Sequence, residues 1–310
     1  MPRDVLIVDN FSPDAARLRA VFDERFADPR STRADRFVWD YWHVPGQYTA
    51  LRTPAWTYFP KAIYERFHRA LVAWGRQTLG CHDISPPWLS LYTEGCKQEL
   101  HGDLPHGPWA FVFSLTPWNR RVFSGGETLL VRDEVLDFWQ DFASVRGVEE
   151  RELIRAIEPR MNRLTVFDPR IPHGVRRVSG THDPREGRLV IHGWFVQPRP
   201  IVVGPLRTSA LADNLLHLSD RFGGYLRAAS SGPAGSYLPV AGLVSFAFAV
   251  DRGGRVRDVR VLSDTTRVPR TEERGRRRVI AQIRRDLAAW RFPRQRGPSR
   301  VTLPFVFERG

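Results

Sequence analysis

A chain of 310 residues, 42% apolar and 12% aromatic, is long enough for one large domain or two ordinary ones and can bury a substantial core. That composition excludes a disordered or fibrous protein, and no apolar run approaches the roughly 18–20 residues that a membrane-spanning helix needs. The formal charge of +13, from 47 basic and 34 acidic residues, invites a nucleic-acid reading. However, Lys61 and Lys97 are the only lysines, and so marked an arginine skew speaks for genome composition rather than phosphate contacts. Cys81 and Cys96 form neither a Cys-x-x-Cys pair nor a disulfide framework. The opening apolar stretch is short and bracketed by Asp4 and Asp9, unlike a signal peptide, so a reducing cytoplasm is expected.

In chain order, Val5 to Asn10 reads as a strand, followed by Ser12-Pro13 as an N-cap with proline at the first helical position. Leu18, Val21, Phe22 and Phe26 then recur at helical spacing. Residues 30–60 are rich in Trp, Tyr and Pro without clean periodicity, which predicts an irregular lid or substrate-facing segment. Its aromatic stretch Trp39-Asp-Tyr-Trp42 suggests either an apolar or stacking substrate surface or the core of the lid. Lys61 to Leu79 is an amphipathic helix with Ile63, Phe67, Leu71 and Trp74 on one stripe. From Trp88 onward the pattern changes to short strands, at 89–92, 109–115, 128–131, 163–167, 175–178 and 188–196, separated by Gly, Pro and Asp turns. Helices beside many short strands predict a helix-flanked antiparallel sandwich or barrel.

After Pro198-Arg-Pro200 the pattern restarts. A helix near Ser209–Phe222, a Gly/Ser-rich stretch, two strands around Asp251-Arg-Gly-Gly, a helix over about 271–290 and a strand at 301–307 suggest a β-β-α-β module. The expected domains are therefore 1–200 and 201–310. The basic run Arg274–Arg278 with Arg284-Arg285 lies on the second of these helices. It reads as a solvated face, with a polyanion contact as the other reading.

His101-Gly-Asp103 places two metal-competent side chains at i and i+2, on one side of an extended segment. A later third ligand would complete a two-His-one-carboxylate face, which leaves open positions on a ferrous ion. His173 suits that place, because it begins a strand after the apolar run Leu164-Thr-Val-Phe167. His106 could compete, but Leu104-Pro105 turns the chain away, so it is expected at the site mouth.

Five motifs in order carry a resemblance. They are Leu100-His-Gly-Asp103, Ser124-Gly-Gly-Glu-Thr-Leu129, the stretch from Glu158 to Asp168, Pro172-His-Gly-Val175, and Arg188-Leu-Val-Ile-His-Gly-Trp-Phe195. Together with the opening Val-Leu-Ile-Val-Asp-Asn-Phe11, they resemble the prolyl 4-hydroxylase branch of the Fe(II)/2-oxoglutarate dioxygenases over residues 4–197.

The resemblance implies a double-stranded β-helix (a jelly-roll, cupin-like core) flanked by helices, with iron held by His101, Asp103 and His173. It implies that Arg188 pairs with the distal carboxylate of 2-oxoglutarate; a surface salt bridge is the other reading of Arg188. Tyr92 matches a tyrosine that helps hold the co-substrate, or is a packed aromatic, and Ser114 stands where relatives have a second tyrosine. With Arg188 facing inward, strand alternation turns Val190, His192 and Trp194 inward too. His192 is then a co-substrate or substrate neighbour, or a hydrogen-bonded core histidine.

The implied reaction consumes 2-oxoglutarate and O2, releases succinate and CO2, and hydroxylates an unactivated C–H bond of a peptide, protein side chain or amino-acid-like metabolite. Desaturation or ring closure would use the same ligands. Asp103 disfavours a halogenase, and Trp194 stands where nucleic-acid demethylases of the superfamily carry a second arginine.

Residues Gly242 to Ser263, Trp290-Arg-Phe-Pro293 and Val301 to Phe307 resemble a TonB-type carboxy-terminal domain, closest to that of gliding-motility proteins. This implies a protein partner or self-association through the module, or a domain that only stabilises the chain. A non-catalytic scaffold is the competing function class. A membrane or nucleic-acid partner is not expected.

Overall fold

The computed structural model describes residues 5–28, 38–103, 106–132, 135 and 149–308. Its contacts divide the described chain into two compact units, one of residues 5–71 with 84–196 and one of residues 72–83 with 197–308. The expected division after residue 200 differs from this at residues 197–200 and in the segment 72–83. Ser245 Oγ donates to the carbonyl of Leu79 at 2.5 Å within the second unit.

The strands are β1 (Val5–Val8), β2 (Asp40–Val44), β3 (Tyr48–Pro54), β4 (Cys81–Ile84), β5 (Trp88–Tyr92), β6 (Lys97–His101), β7 (Trp109–Ser114), β8 (Thr128–Val131), β9 (Ile154–Ile157), β10 (Leu164–Phe167), β11 (His173–Val175) and β12 (Arg188–Pro198). Helices α1 (Ala15–Arg25), α2 (Ala55–Tyr58) and α3 (Lys61–Thr78) accompany them. In the first unit the strands form one curled antiparallel sheet in the order β1-β10-β7-β12-β5-β3-β6-β11-β8-β9, with β2 paired to β3. This is the curled sheet of a jelly-roll core.

Strand β12 lies between β7 and β5, and its alternation sets the two faces. Leu189, Ile191 and Phe195 are fully buried on one face. Arg188, Val190, His192 and Trp194 share the other. All four residues of β10 are buried, because strands flank it on both sides and both its faces are covered. Phe67 of α3 packs on Phe113 of β7 with ring centroids 4.7 Å apart, which places the helix stripe on the core.

Several expectations need correction. Helix α1 starts at Ala15 rather than Pro13, because Ser12 makes a local turn in which its Oγ accepts from the Asp14 amide. The irregular lid expected over 30–60 is, from Asp40 to Pro54, a hairpin turning at Gly46 (φ 73°). Its second strand pairs with both β5 and β6; residues 30–37 lie outside the described part. The strand expected at 175–178 is β11, two residues earlier, set by pairing with β6 and β8.

The second unit contains β13 (Ile201–Val203), α4 (Ala212–Ala229), β14 (Gly242–Val250), β15 (Val256–Asp264), α5 (Glu273–Ala289) and β16 (Ser299–Phe307). Its antiparallel sheet runs β13-β16-β14-β15. The expected β-β-α-β order is therefore present, with β13 added at one edge. Val279, Ile283 and Leu287, at i, i+4 and i+8, turn one face of α5 into the core with Phe246, Val301 and Leu303. Arg276, expected on a solvated face, is only 4% exposed and is ion-paired to Asp264 and Glu273, each at 2.7 Å.

Cys81 and Cys96 are buried and unpaired with each other. Among the described residues no helix is long and apolar enough to cross a membrane.

Candidate active site

The pairing of β11 with β6 puts His173 directly opposite His101. Gly174 allows this closeness, since a Cβ there would lie 2.5 Å from the Gln98 carbonyl. Asp103 follows the end of β6 and is anchored through its amide, which donates to the Pro169 carbonyl at 3.0 Å. The ligand atoms of His101, Asp103 and His173 all lie within 4.8 Å of one another.

The two histidines are oriented alike. His173 Nδ1 donates to the Ile171 carbonyl at 2.8 Å, and His101 Nδ1 donates to the Glu99 carbonyl at 2.9 Å. A carbonyl can only accept, so both protons sit on Nδ1 in the neutral rings and both Nε2 atoms present lone pairs. These Nε2 atoms face the two Asp103 oxygens at 3.3 Å (His101) and 3.2 Å (His173). Converging acceptors of this kind fit a cation. Without a cation, protonated rings would instead turn Nε2–H donors to Asp103. Desolvation works to raise the Asp103 pKa, but in that state these hydrogen bonds and charges outweigh it and hold the carboxyl far below the usual range. For His101 desolvation works downward, and the Asp103 carboxylate with the Glu99 carbonyl outweighs it, so its pKa is raised.

The triad opens into a cavity of about 650 Å³, whose lining includes Arg188, Tyr92, Val190, His192, Trp194 and Thr128. Arg188 is 1% exposed. Its Nη2 donates to Thr128 Oγ1 at 3.1 Å, and the Tyr92 ring lies 4.7 Å from the guanidinium carbon. Nε and Nη1 are buried without hydrogen-bond partners. A buried guanidinium short of acceptors fits a ligand carboxylate, which a planar fork binds in bidentate fashion. Burial lowers the Arg188 pKa against the opposing influence of Tyr92 and Glu127.

His192 Nε2 and Ser90 Oγ lie 2.7 Å apart. Desolvation, reinforced by the charges of Arg52 and Arg188, pushes the His192 pKa well below its ordinary value, so the ring is neutral. The Trp194 ring lies tilted against that of exposed His106, with centroids 4.5 Å apart, and both line the cavity; the expected turn at Leu104-Pro105 lies outside the described residues.

Ser114, expected in the co-substrate pocket, is not among the described residues that line the cavity. Its hydroxyl donates to the Pro159 carbonyl at 2.6 Å and accepts from the Thr116 amide at 3.1 Å, so it ties the end of β7 to a neighbouring loop.

The cavity also takes in Trp42 from the aromatic segment, and Tyr48, Arg52, Trp88 and Gln98, which the sequence reading does not assign to the site. A signal was there to read: Tyr48, Ala50 and Arg52 alternate along one strand face after a glycine turn. The aromatic segment Trp39–Trp42 divides its work. Trp39 packs on Phe22 and Tyr58, whereas Trp42 lines the cavity.

Residues 87–196 match the model of the 2OG-Fe(II) oxygenase superfamily. The chain thus carries an Fe(II)- and 2-oxoglutarate-dependent oxygenase domain; Fe(II) and 2-oxoglutarate are its cofactors, and O2 is typical of the family. Among solved structures, it is similar to a Pseudomonas putida prolyl-4-hydroxylase at 17% identity, covering 63% of this chain and 92% of that one, with a TM-score of 0.44. It is also similar to a viral collagen prolyl hydroxylase from Paramecium bursaria Chlorella virus-1, at 14% identity over 62% and 94% of the two chains and a TM-score of 0.38. A third is HygX from Streptomyces hygroscopicus, with nickel and 2-oxoglutarate bound, at 14% identity over 61% and 81%, with a TM-score of 0.39. No curated protein matches the chain.

Proposed function

We propose that the chain hydroxylates an unactivated C–H bond of a peptide, protein side chain or amino-acid-like metabolite, with His101, Asp103 and His173 as its iron ligands. The observation that carries this reading is the matched orientation of the two histidines, each fixed through Nδ1 on a carbonyl two residues earlier and each turning Nε2 toward Asp103. Bound Fe(II), with 2-oxoglutarate and O2, supplies the oxidation, giving succinate, CO2 and the hydroxylated product.

The chain's own residues position and insulate. Arg188 holds the distal carboxylate of 2-oxoglutarate through the donors that otherwise lack partners, with Thr128 and the Tyr92 ring fixing its fork. Neutral His192, bonded to Ser90, adds no further positive charge beside the iron site. Trp194 and His106 form an aromatic rim that keeps water from the reacting centre.

Residues 201–310 are read as a TonB-like interaction module that binds a protein partner or a second copy. Strand β15, which ends the sheet, offers an edge to an added strand. Buried, unpaired Cys81 and Cys96 support a cytoplasmic setting.

The test is an anaerobic titration with Fe(II) and 2-oxoglutarate, followed by its visible charge-transfer band and, in air, by succinate release. Asp103→Ala and His173→Ala are expected to lose the band and at least about a hundredfold of turnover while remaining folded. Undiminished turnover in either folded variant removes the ligand assignment.

A further inference from the structure

Arg52 has no part in holding iron or 2-oxoglutarate in the reading above, yet it lines the same cavity. Its Nε is buried and has no hydrogen-bond partner. No described acidic group forms an ion pair with it. Its neighbours are instead aromatic, with the guanidinium carbon 5.4 Å from the Trp42 ring and 5.1 Å from the Tyr48 ring. Such contacts lie over the ring faces and leave the donor edge of the fork unsatisfied.

The charge balance of the loaded site points the same way. Among the described residues, Asp103 is the one acidic group in the cavity lining. The ferrous ion and Arg188 together carry three positive charges, and Asp103 with 2-oxoglutarate carries three negative ones. Arg52 is the charge left over. A half-buried cation that must be desolvated when substrate fills the cavity needs an anion, and a planar fork selects a carboxylate. The surface beside it is apolar: Trp42 and Tyr48 flank Arg52, and Trp88 lines the same cavity, packed on Trp42 with ring centroids 5.9 Å apart.

The geometry points to Arg52 as the substrate's carboxylate anchor, so that the substrate is a small amphipathic acid, an amino-acid derivative or peptide carboxy-terminus, whose aromatic or alkyl part lies against Trp42, Tyr48 and Trp88. This rests on the oxygenase reading above and narrows it. Interior segments of a protein chain carry no such free carboxylate and are disfavoured.

The probes are the N-acetyl derivatives of phenylalanine, tryptophan, leucine, methionine and proline, each as free acid and as carboxamide. Their binding to the Fe(II)- and 2-oxoglutarate-loaded chain is measured by anaerobic calorimetry. At least one acid is expected to bind tenfold or more tightly than its amide, and Arg52→Gln is expected to abolish that preference while the 2-oxoglutarate Kd moves less than threefold. Equal binding of acids and amides, or no binding of any acid, overturns the anchor. So does a preference that survives Arg52→Gln, or phenyl phosphate binding more tightly than every acid. Loss of 2-oxoglutarate binding in Arg52→Gln would assign the residue to the co-substrate and also overturn it. Failure of the unsubstituted chain to bind 2-oxoglutarate would instead refute the oxygenase reading on which the anchor stands.

Discussion

The two units each bury an arginine, and the arginines could hardly be served more differently. In the second unit Arg276 has its Nε and Nη2 on Glu273 and its Nη1 on Asp264 and Thr266, so every face of the fork meets an acceptor. In the first unit Arg188, more deeply buried, meets Thr128 and the Tyr92 ring, and among the described residues its Nε and Nη1 have no hydrogen-bond partner and no carboxylate pairs with it. A buried cation given its acids by the fold is part of the fold. One from which the fold withholds them is held ready for something that arrives later, because leaving it unpaired costs stability that only a ligand can return.

The comparison can be broken most sharply by the same substitution at both places. Arg188→Met is expected to weaken 2-oxoglutarate binding by about a hundredfold or more, through loss of a desolvated charge pair, while the ligand-free protein keeps or gains stability. Arg276→Met is expected to do the reverse. It should leave 2-oxoglutarate binding unchanged and destabilise by about 3 kcal/mol in urea unfolding, the low end for a buried pair because Glu273 is partly solvated. If Arg188→Met destabilises the ligand-free protein as much as Arg276→Met does, the contrast fails.

A weaker effect should appear with pH. The hydrogen bond from Arg276, opposed by desolvation and joined by Arg277, depresses the Glu273 pKa from the usual 4.5 to about 2. A depressed acid stabilises the fold above its unfolded pKa, so this contribution is intact above about pH 4.5 and is lost as pH falls toward 2. Urea midpoints measured across that window should decline, and the decline should be smaller in Arg276→Met. An identical pH profile in the variant would show that Glu273 is not the group responsible.

The smallest expected change concerns Ser114. Ser114→Ala removes two buried hydrogen bonds and should cost about 1 kcal/mol of stability without changing the 2-oxoglutarate Kd. A shift in that Kd would return Ser114 to the co-substrate pocket.

Much of this protein could be read from local pattern. The stripe on α3, the short strands from Trp88 onward and the restart after Pro200 are periodicities of two or of 3.6 residues, and the backbone geometry that produces them acts over neighbouring residues. The same alternation along β12 puts Arg188 on one face with His192 and Trp194. His101 and Asp103, two apart on an extended segment, were bound to share a side.

What only the tertiary structure decided is which distant strands pair. Residues 40–54 show a glycine turn and a short alternation, but nothing local says where that hairpin docks; its second strand enters the sheet between β5 and β6 and so brings Trp42, Tyr48 and Arg52 into the cavity. Pairing of β11 with β6 sets His173 opposite His101, more than seventy residues away in sequence. The hydroxyl of Ser114 was withdrawn from the pocket by a loop carbonyl that no local pattern announces. Side-chain periodicity is a property of the chain's own backbone, but register and the satisfaction of buried donors are properties of pairs of segments. For that reason the sequence by itself named the residues able to do the chemistry, while the fold decided which of them are left without partners and available to a ligand.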